Sequence, residues 1–184
     1  PRFATMYFYT DLIKHHPHTL DLVSMLLGDP KPLWVEGTLI EEGDPFDPTP
    51  RRPHPVYDAA AHRYLPSTGF EVGDPMVGFY RVGYEGGAEG IFVPRRGSFD
   101  IDVLGSEGRA SVIGGANDLR IRRTNGKTQT TEEKIFHPTG ESPTICTIRD
   151  IIRELETGER TKGNIDITMQ SVEAQFGLAH SHLQ

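Results

Sequence analysis

The chain has 184 residues, 36% of them hydrophobic and 24% charged, with 26 acidic against 19 basic side chains and a formal net charge of −7 at pH 7. That length supports one domain with its own core and is cramped for two. The acidic balance, with no basic face, argues against nucleic acid as a partner; no apolar run approaches the roughly 18 residues of a membrane span; and the single cysteine, Cys146, rules out an internal disulfide and suits a reducing, cytoplasmic setting.

The opening, Arg2 to Thr10, is rich in aromatic and β-prone side chains and reads as a strand. The chain begins with Pro1 rather than methionine and is strand-like at once, the pattern of a processed product or of a piece of something longer. A loop then leads to Pro17, which suits a first helical turn because its missing N–H costs nothing there. The spacing predicts a helix from about Pro17 to Leu27, with Leu20, Val23, Leu26 and Leu27 on one face and Gly28 as its left-handed stop. Leu33 to Glu41 reads as a second strand.

From about residue 43 to 75 the chain changes character. Six prolines from Pro45 to Pro66 predict a long excursion without a ladder, either site-lining or flexible. A β-meander follows: Met76 to Tyr84, Ala88 to Pro94, Ser98 to Leu104, Arg109 to Ile113, Leu119 to Thr124 and Lys127 to Phe136, joined by short turns that predict antiparallel neighbours. Strict alternation puts Phe99, Ile101 and Val103 on one side and Ser98, Asp100 and Asp102 on the other, which faces water or a polar partner. Ser142 and Pro143 open a helix carrying Ile145, Ile148, Ile151, Ile152 and Leu155 up to Gly158, and a last helix runs from about Ile165 to Leu183. Cys146, among apolar positions of the first of these, reads as a small buried side chain. The sum is an α+β domain over 1–184: an open, predominantly antiparallel sheet with helices on one face and the other face available for oligomerisation.

Chemistry concentrates at the first helix, where Lys14, His15, His16 and His18 precede or open the apolar run and Asp21 follows. Imidazole changes charge near neutral pH and can donate, accept or ligate, so this entrance is the candidate for proton transfer. His18 and Asp21 fall one turn apart near the positive end of the helix, which favours a carboxylate and a neutral imidazole. A metal site built from the three histidines is the weaker alternative, because neighbouring residues there point in different directions. His180 and His182 read as the exposed end of the last helix.

The segment from His18 to Gly28, His-Thr-Leu-Asp-Leu-Val-Ser-Met-Leu-Leu-Gly, resembles the His-x-x-Asp helix of the glucose–fructose oxidoreductase, inositol dehydrogenase and MocA-type oxidoreductases. The stretch from Asp100 to Gly108 is similar to that family's strand–Gly-x-Glu-Gly–strand hairpin, and Ser171 to Ser181 to its closing helix. The resemblance implies the C-terminal, substrate-side and oligomerisation domain of a two-domain NAD(P)-dependent enzyme acting on a sugar, polyol or cyclitol hydroxyl. The N-terminal Rossmann domain, with its Gly-rich turn, would lie outside this chain. NAD or NADP would then serve the full-length parent, with none expected on this piece, which alone would not turn over.

Carried over by position, the family's catalytic histidine falls on His18, which would take the substrate's hydroxyl proton. Lys14 stands where the family often has an acid, and would polarise an oxygen or hold an acidic substrate instead. Tyr9, His15 and Asp21 complete the substrate-binding candidates, Asp21 mainly as an orienting group. The implied assembly is a homodimer or higher homo-oligomer through the sheet. The alternative is a non-catalytic scaffold or dimerisation domain of the same fold.

Overall fold

A computed structural model describes residues 2–13, 15–40, 56–58, 63–65, 75–95, 99–113, 118–128, 130–137, 140–161 and 165–184. Strand β1 (Phe3–Phe8) leads into helix α1 (His16–Leu27), and strand β2 (Pro32–Ile40) follows. Pro17 sits in the first turn of α1 and Gly28, at φ 96°, closes it, the left-handed conformation a side chain would oppose. A small hairpin, β3 (Val56–Asp58) with β4 (Arg63–Leu65), comes next. The meander comprises β5 (Met76–Tyr84), β6 (Glu89–Pro94), β7 (Asp100–Gly105), β8 (Gly108–Ile113), β9 (Asp118–Thr124) and β10 (Thr131–Phe136). Helices α2 (Pro143–Thr157) and α3 (Ile165–His182) end the chain.

Eight strands form one open sheet in the order β10-β9-β8-β7-β1-β6-β5-β2. Its neighbours run antiparallel except β1 and β6, which pair in parallel, Phe3 opposite Glu89 through Phe8 opposite Pro94. The sheet is thus predominantly antiparallel, as expected, and its one parallel pair joins strands far apart in sequence through a crossover rather than a tight turn. The register gives the sheet two faces. One carries Ala4 and Met6 of β1, Ile101 of β7, Tyr80 and Val82 of β5 and Phe92 of β6; with Leu20, Val23 and Leu27 of α1 and Ala174 and Leu178 of α3 they form the buried core. Each of the larger aliphatic, methionine and phenylalanine side chains among them, taken fully from water, contributes about 1.5–3 kcal/mol.

The opposite face carries ion pairs along its width: Arg81 to Glu89 at 2.7 Å, Arg95 to Asp100 at 2.8 Å, Arg109 to Asp102 at 2.7 Å and Arg122 to Glu133 at 2.7 Å. Phe3, Trp34, Phe79, Leu104, Ile113 and Ile135 are exposed beside them. At one rim of the sheet, the end of α3 closes β2: the Gly37 N–H donates to Ser181 Oγ at 3.2 Å and the Leu39 N–H to His182 Nδ1 at 3.2 Å. His182 is therefore half-buried and an edge-strand acceptor rather than part of an exposed helix end, whereas His180 is exposed as read.

Other expectations change with physical cause. The proline-rich excursion does hold a short ladder, since β3 and β4 fall between Pro55 and Pro66 and contain no imide themselves; apart from these strands and Pro75, that stretch, with Ser98 of the meander, lies outside the described residues. The strand expected from Lys127 starts only at Thr131, because Asn125 Oδ1 accepts the Lys127 N–H at 2.9 Å and the Thr128 N–H at 3.3 Å and holds a turn there. Cys146 is exposed rather than buried, as are Ile145, Ile148, Ile151, Ile152 and Leu155: the periodicity specified a helix correctly, but no described element covers its apolar side. No described helix is long and apolar enough to cross a membrane.

Candidate functional site

The entrance of α1 is held by the chain before it. Beyond β1 the backbone runs along the start of β5: the Val77 N–H donates to the Thr10 carbonyl at 2.9 Å and the Leu12 N–H to the Pro75 carbonyl at 2.8 Å. From α3, Gln175 Nε2 donates to the Leu12 carbonyl at 2.6 Å, so strand and helix fix the same turn. Asp11 then folds over it. Its Oδ1 accepts the His15 N–H at 3.0 Å and lies 2.8 Å from His15 Nδ1, while its carbonyl accepts the His16 N–H at 3.2 Å.

The three histidines separate at this turn. His16 points into the protein and is 1% exposed, whereas His15 and His18 are exposed. The His16 ring meets the edges of Tyr80 and Phe92 at 5.1 Å and 5.7 Å, and those two rings stack at 4.1 Å. Tyr80 Oη is hydrogen-bonded to His16 Nε2, and Thr19 Oγ1 lies 3.2 Å from His16 Nδ1. Gly37 on β2 leaves room for this tyrosine, since a Cβ at that position would stand 2.1 Å from Tyr80 Cβ. Burial drives the imidazole down from 6.5 to about 3, against the opposing pull of Asp11, and pushes the Tyr80 phenol well above its ordinary value.

Of the residues expected from sequence, His18 and His15 share one turn, the His18 N–H donating to the His15 carbonyl at 3.2 Å. Asp21 lies one turn further along, half-buried, with its Oδ1 enclosed and without a hydrogen-bond partner among the described residues. It adds to the burial that raises the nearby Tyr84 to about 12, a shift that the Ser24 hydroxyl opposes. Tyr9 is half-buried just before the turn, and Lys14 lies outside the described residues. Sequence reasoning placed His16 in the entrance without foreseeing its burial, and missed Thr19 and Tyr80. The signal was present: the buried face Leu20, Ser24 and Leu27 runs back one turn to His16, and Tyr80 shares the inward register of Val82 and Tyr84.

His15 and His18 lie on the outer side of this turn. Beneath His16 the hollow lined by Met6, Phe8, Thr10, Thr19 and Val77 measures about 10 Å³, about enough for one water. A hollow of that size does not admit a substrate beside His16. None of the described strand-to-helix turns carries the Gly-rich sequence that lets backbone approach a pyrophosphate. Among them, no group of three or more His, Cys, Asp or Glu side chains is arranged to hold a metal ion.

No protein-family model and no curated protein matches the chain by sequence. Solved structures match by fold. UDP-N-acetylglucosamine 3-dehydrogenase GnnA from Acidithiobacillus ferrooxidans aligns with a TM-score of 0.67 at 13% identity, over 100% of this chain and 55% of that one. A 3-ketoreductase from Actinomadura kijaniata, in complex with NADP, gives 0.56 at 10%, over 98% and 51%. The super-repressor mutant of Gal80p from Saccharomyces cerevisiae gives 0.58 at 9%, over 99% and 55%. The chain spans about half the length of the structures it matches, and its fold is one found in glucose–fructose oxidoreductase, inositol dehydrogenase and MocA-type proteins.

Proposed function

We propose that this chain is the substrate-binding and oligomerisation domain of a two-domain NAD(P)-dependent oxidoreductase acting on a sugar-, polyol- or cyclitol-like hydroxyl in the cytoplasm. The observation that carries this reading is the α1 entrance. On a fold shared with a nucleotide-sugar dehydrogenase and a ketoreductase, it turns one histidine inward and leaves His15 and His18 outward on a turn fixed by β5 and α3. His18 is the proton acceptor for the hydroxyl, Lys14 polarises or anchors an oxygen, and His15, Tyr9 and Asp21 shape the substrate side. The nicotinamide dinucleotide, NAD or NADP, belongs to a separate domain. Such a site works only when both domains are present.

The exposed sheet face, with Phe3, Trp34, Phe79 and Leu104 around its ion pairs, supports association as a homodimer or higher homo-oligomer. The fold of Gal80p, a transcriptional regulator, supports a second reading in which the domain is a non-catalytic scaffold. One experiment separates them. The full natural protein is assayed for NAD- and NADP-dependent oxidation of a panel of sugars and cyclitols, with His18→Ala beside it. The enzyme reading expects turnover that falls at least about a hundredfold in the variant, the scale of a lost general base. No turnover on any panel member, or an unaffected variant, favours the scaffold.

A further inference from the structure

We propose that His16 is a positioning residue: a neutral imidazole protonated on Nδ1 and tied at both ring nitrogens, which fixes the turn that presents His15 and His18. The proton assignment follows from counting. The Thr19 hydroxyl has one proton, and it goes to the His16 carbonyl at 2.8 Å. At 3.2 Å from His16 Nδ1 the same oxygen therefore accepts, which places the imidazole proton on Nδ1. A neutral ring carries only that one, so Nε2 is a bare acceptor and the Tyr80 hydroxyl donates to it. Burial favours this state on both sides, holding the imidazole neutral and the phenol protonated.

All four polar groups of His16 are thereby occupied. Its N–H donates to Asp11, its carbonyl accepts from Thr19, and its two ring nitrogens face Thr19 and Tyr80. Stacking on Phe92 and the close approach of Gly37 fix Tyr80 in turn. A helix start whose buried residue is held at every polar atom has one register against the sheet, and His18, two residues on, takes its place from that register. The outer site is thus aimed from within, by a side chain that touches no substrate.

The role toward His18 rests on the function proposed above, whereas the tautomer does not. Long-range ¹H–¹⁵N correlation spectra of the full natural chain at neutral pH are expected to show His16 with Nδ1 protonated and Nε2 bare. A ring protonated on Nε2 overturns the assignment whatever the protein's activity. Thr19→Val and Tyr80→Phe, both close in shape to the originals, are expected to move the His18 ring signals, and Thr19→Ser, which keeps the hydroxyl, to restore them. If both disruptive variants fold and leave the His18 signals in place, positioning is refuted. Where turnover is found, the same two variants are expected to lower kcat about tenfold with KM within about twofold, the range in which small misplacement acts on rate.

Discussion

The two ends of the sheet are built from the same strand chemistry but differ in what covers them. Around β1, β6 and β5 the inward side chains lie under α1 and α3, and Met6, Leu20, Val23, Tyr80, Val82 and Leu178 are fully buried. Across β9, β10 and α2 the corresponding positions are exposed or half-exposed, including Leu119, Phe136 and the isoleucines of α2. A periodic apolar pattern therefore specifies the element, and burial is decided by what lies opposite. The covered end carries the stability of this chain, and the candidate site sits there because only a packed helix can hold histidines to a fixed geometry.

Acid sharpens the contrast most. The folded pKa of His16, about 3, lies below the unfolded 6.5. The native state therefore binds fewer protons in that interval, so its stability is fully present above about 6.5 and is lost progressively as pH falls toward about 3. The full shift corresponds to about 5 kcal/mol, and urea midpoints measured across this range in wild type and His16→Asn should show the slope in the former and a shallower one in the latter. Next in size, Leu20→Ala at the covered end is expected to cost about 3 kcal/mol by chemical denaturation. Tyr80→Phe, which keeps the ring stack and removes one buried donor, is expected to cost about 1–2 kcal/mol. Smallest, Ile148→Lys on α2 should change the midpoint by less than about 0.5 kcal/mol while raising solubility. A loss as large as that of Leu20→Ala would show that the bare end is covered in solution.

The same contrast explains what the sequence discloses. Helix α1 was legible from Pro17, the Leu20–Val23–Leu27 face and Gly28, all local signals, and β7 from its alternation. The β1–β6 pairing was not, because no tight turn announces it, and the hairpin between Pro55 and Pro66 was hidden by its flanks. At the site, the His-rich entrance stood out by composition, yet composition could not rank His16 against His15 and His18. That ranking depends on Tyr80, which lies 64 residues away in the chain and reaches the ring only through the fold.

The tail of α3 has a consequence for the borders of the sheet. With Ser181 and His182 occupying the outward N–H groups of Gly37 and Leu39, the β2 border offers an incoming strand fewer free donors. At the opposite border β10 exposes Glu132, Glu133 and Lys134, charges that discourage lateral growth. Fibre-like extension through paired edge strands is thereby disfavoured at both margins.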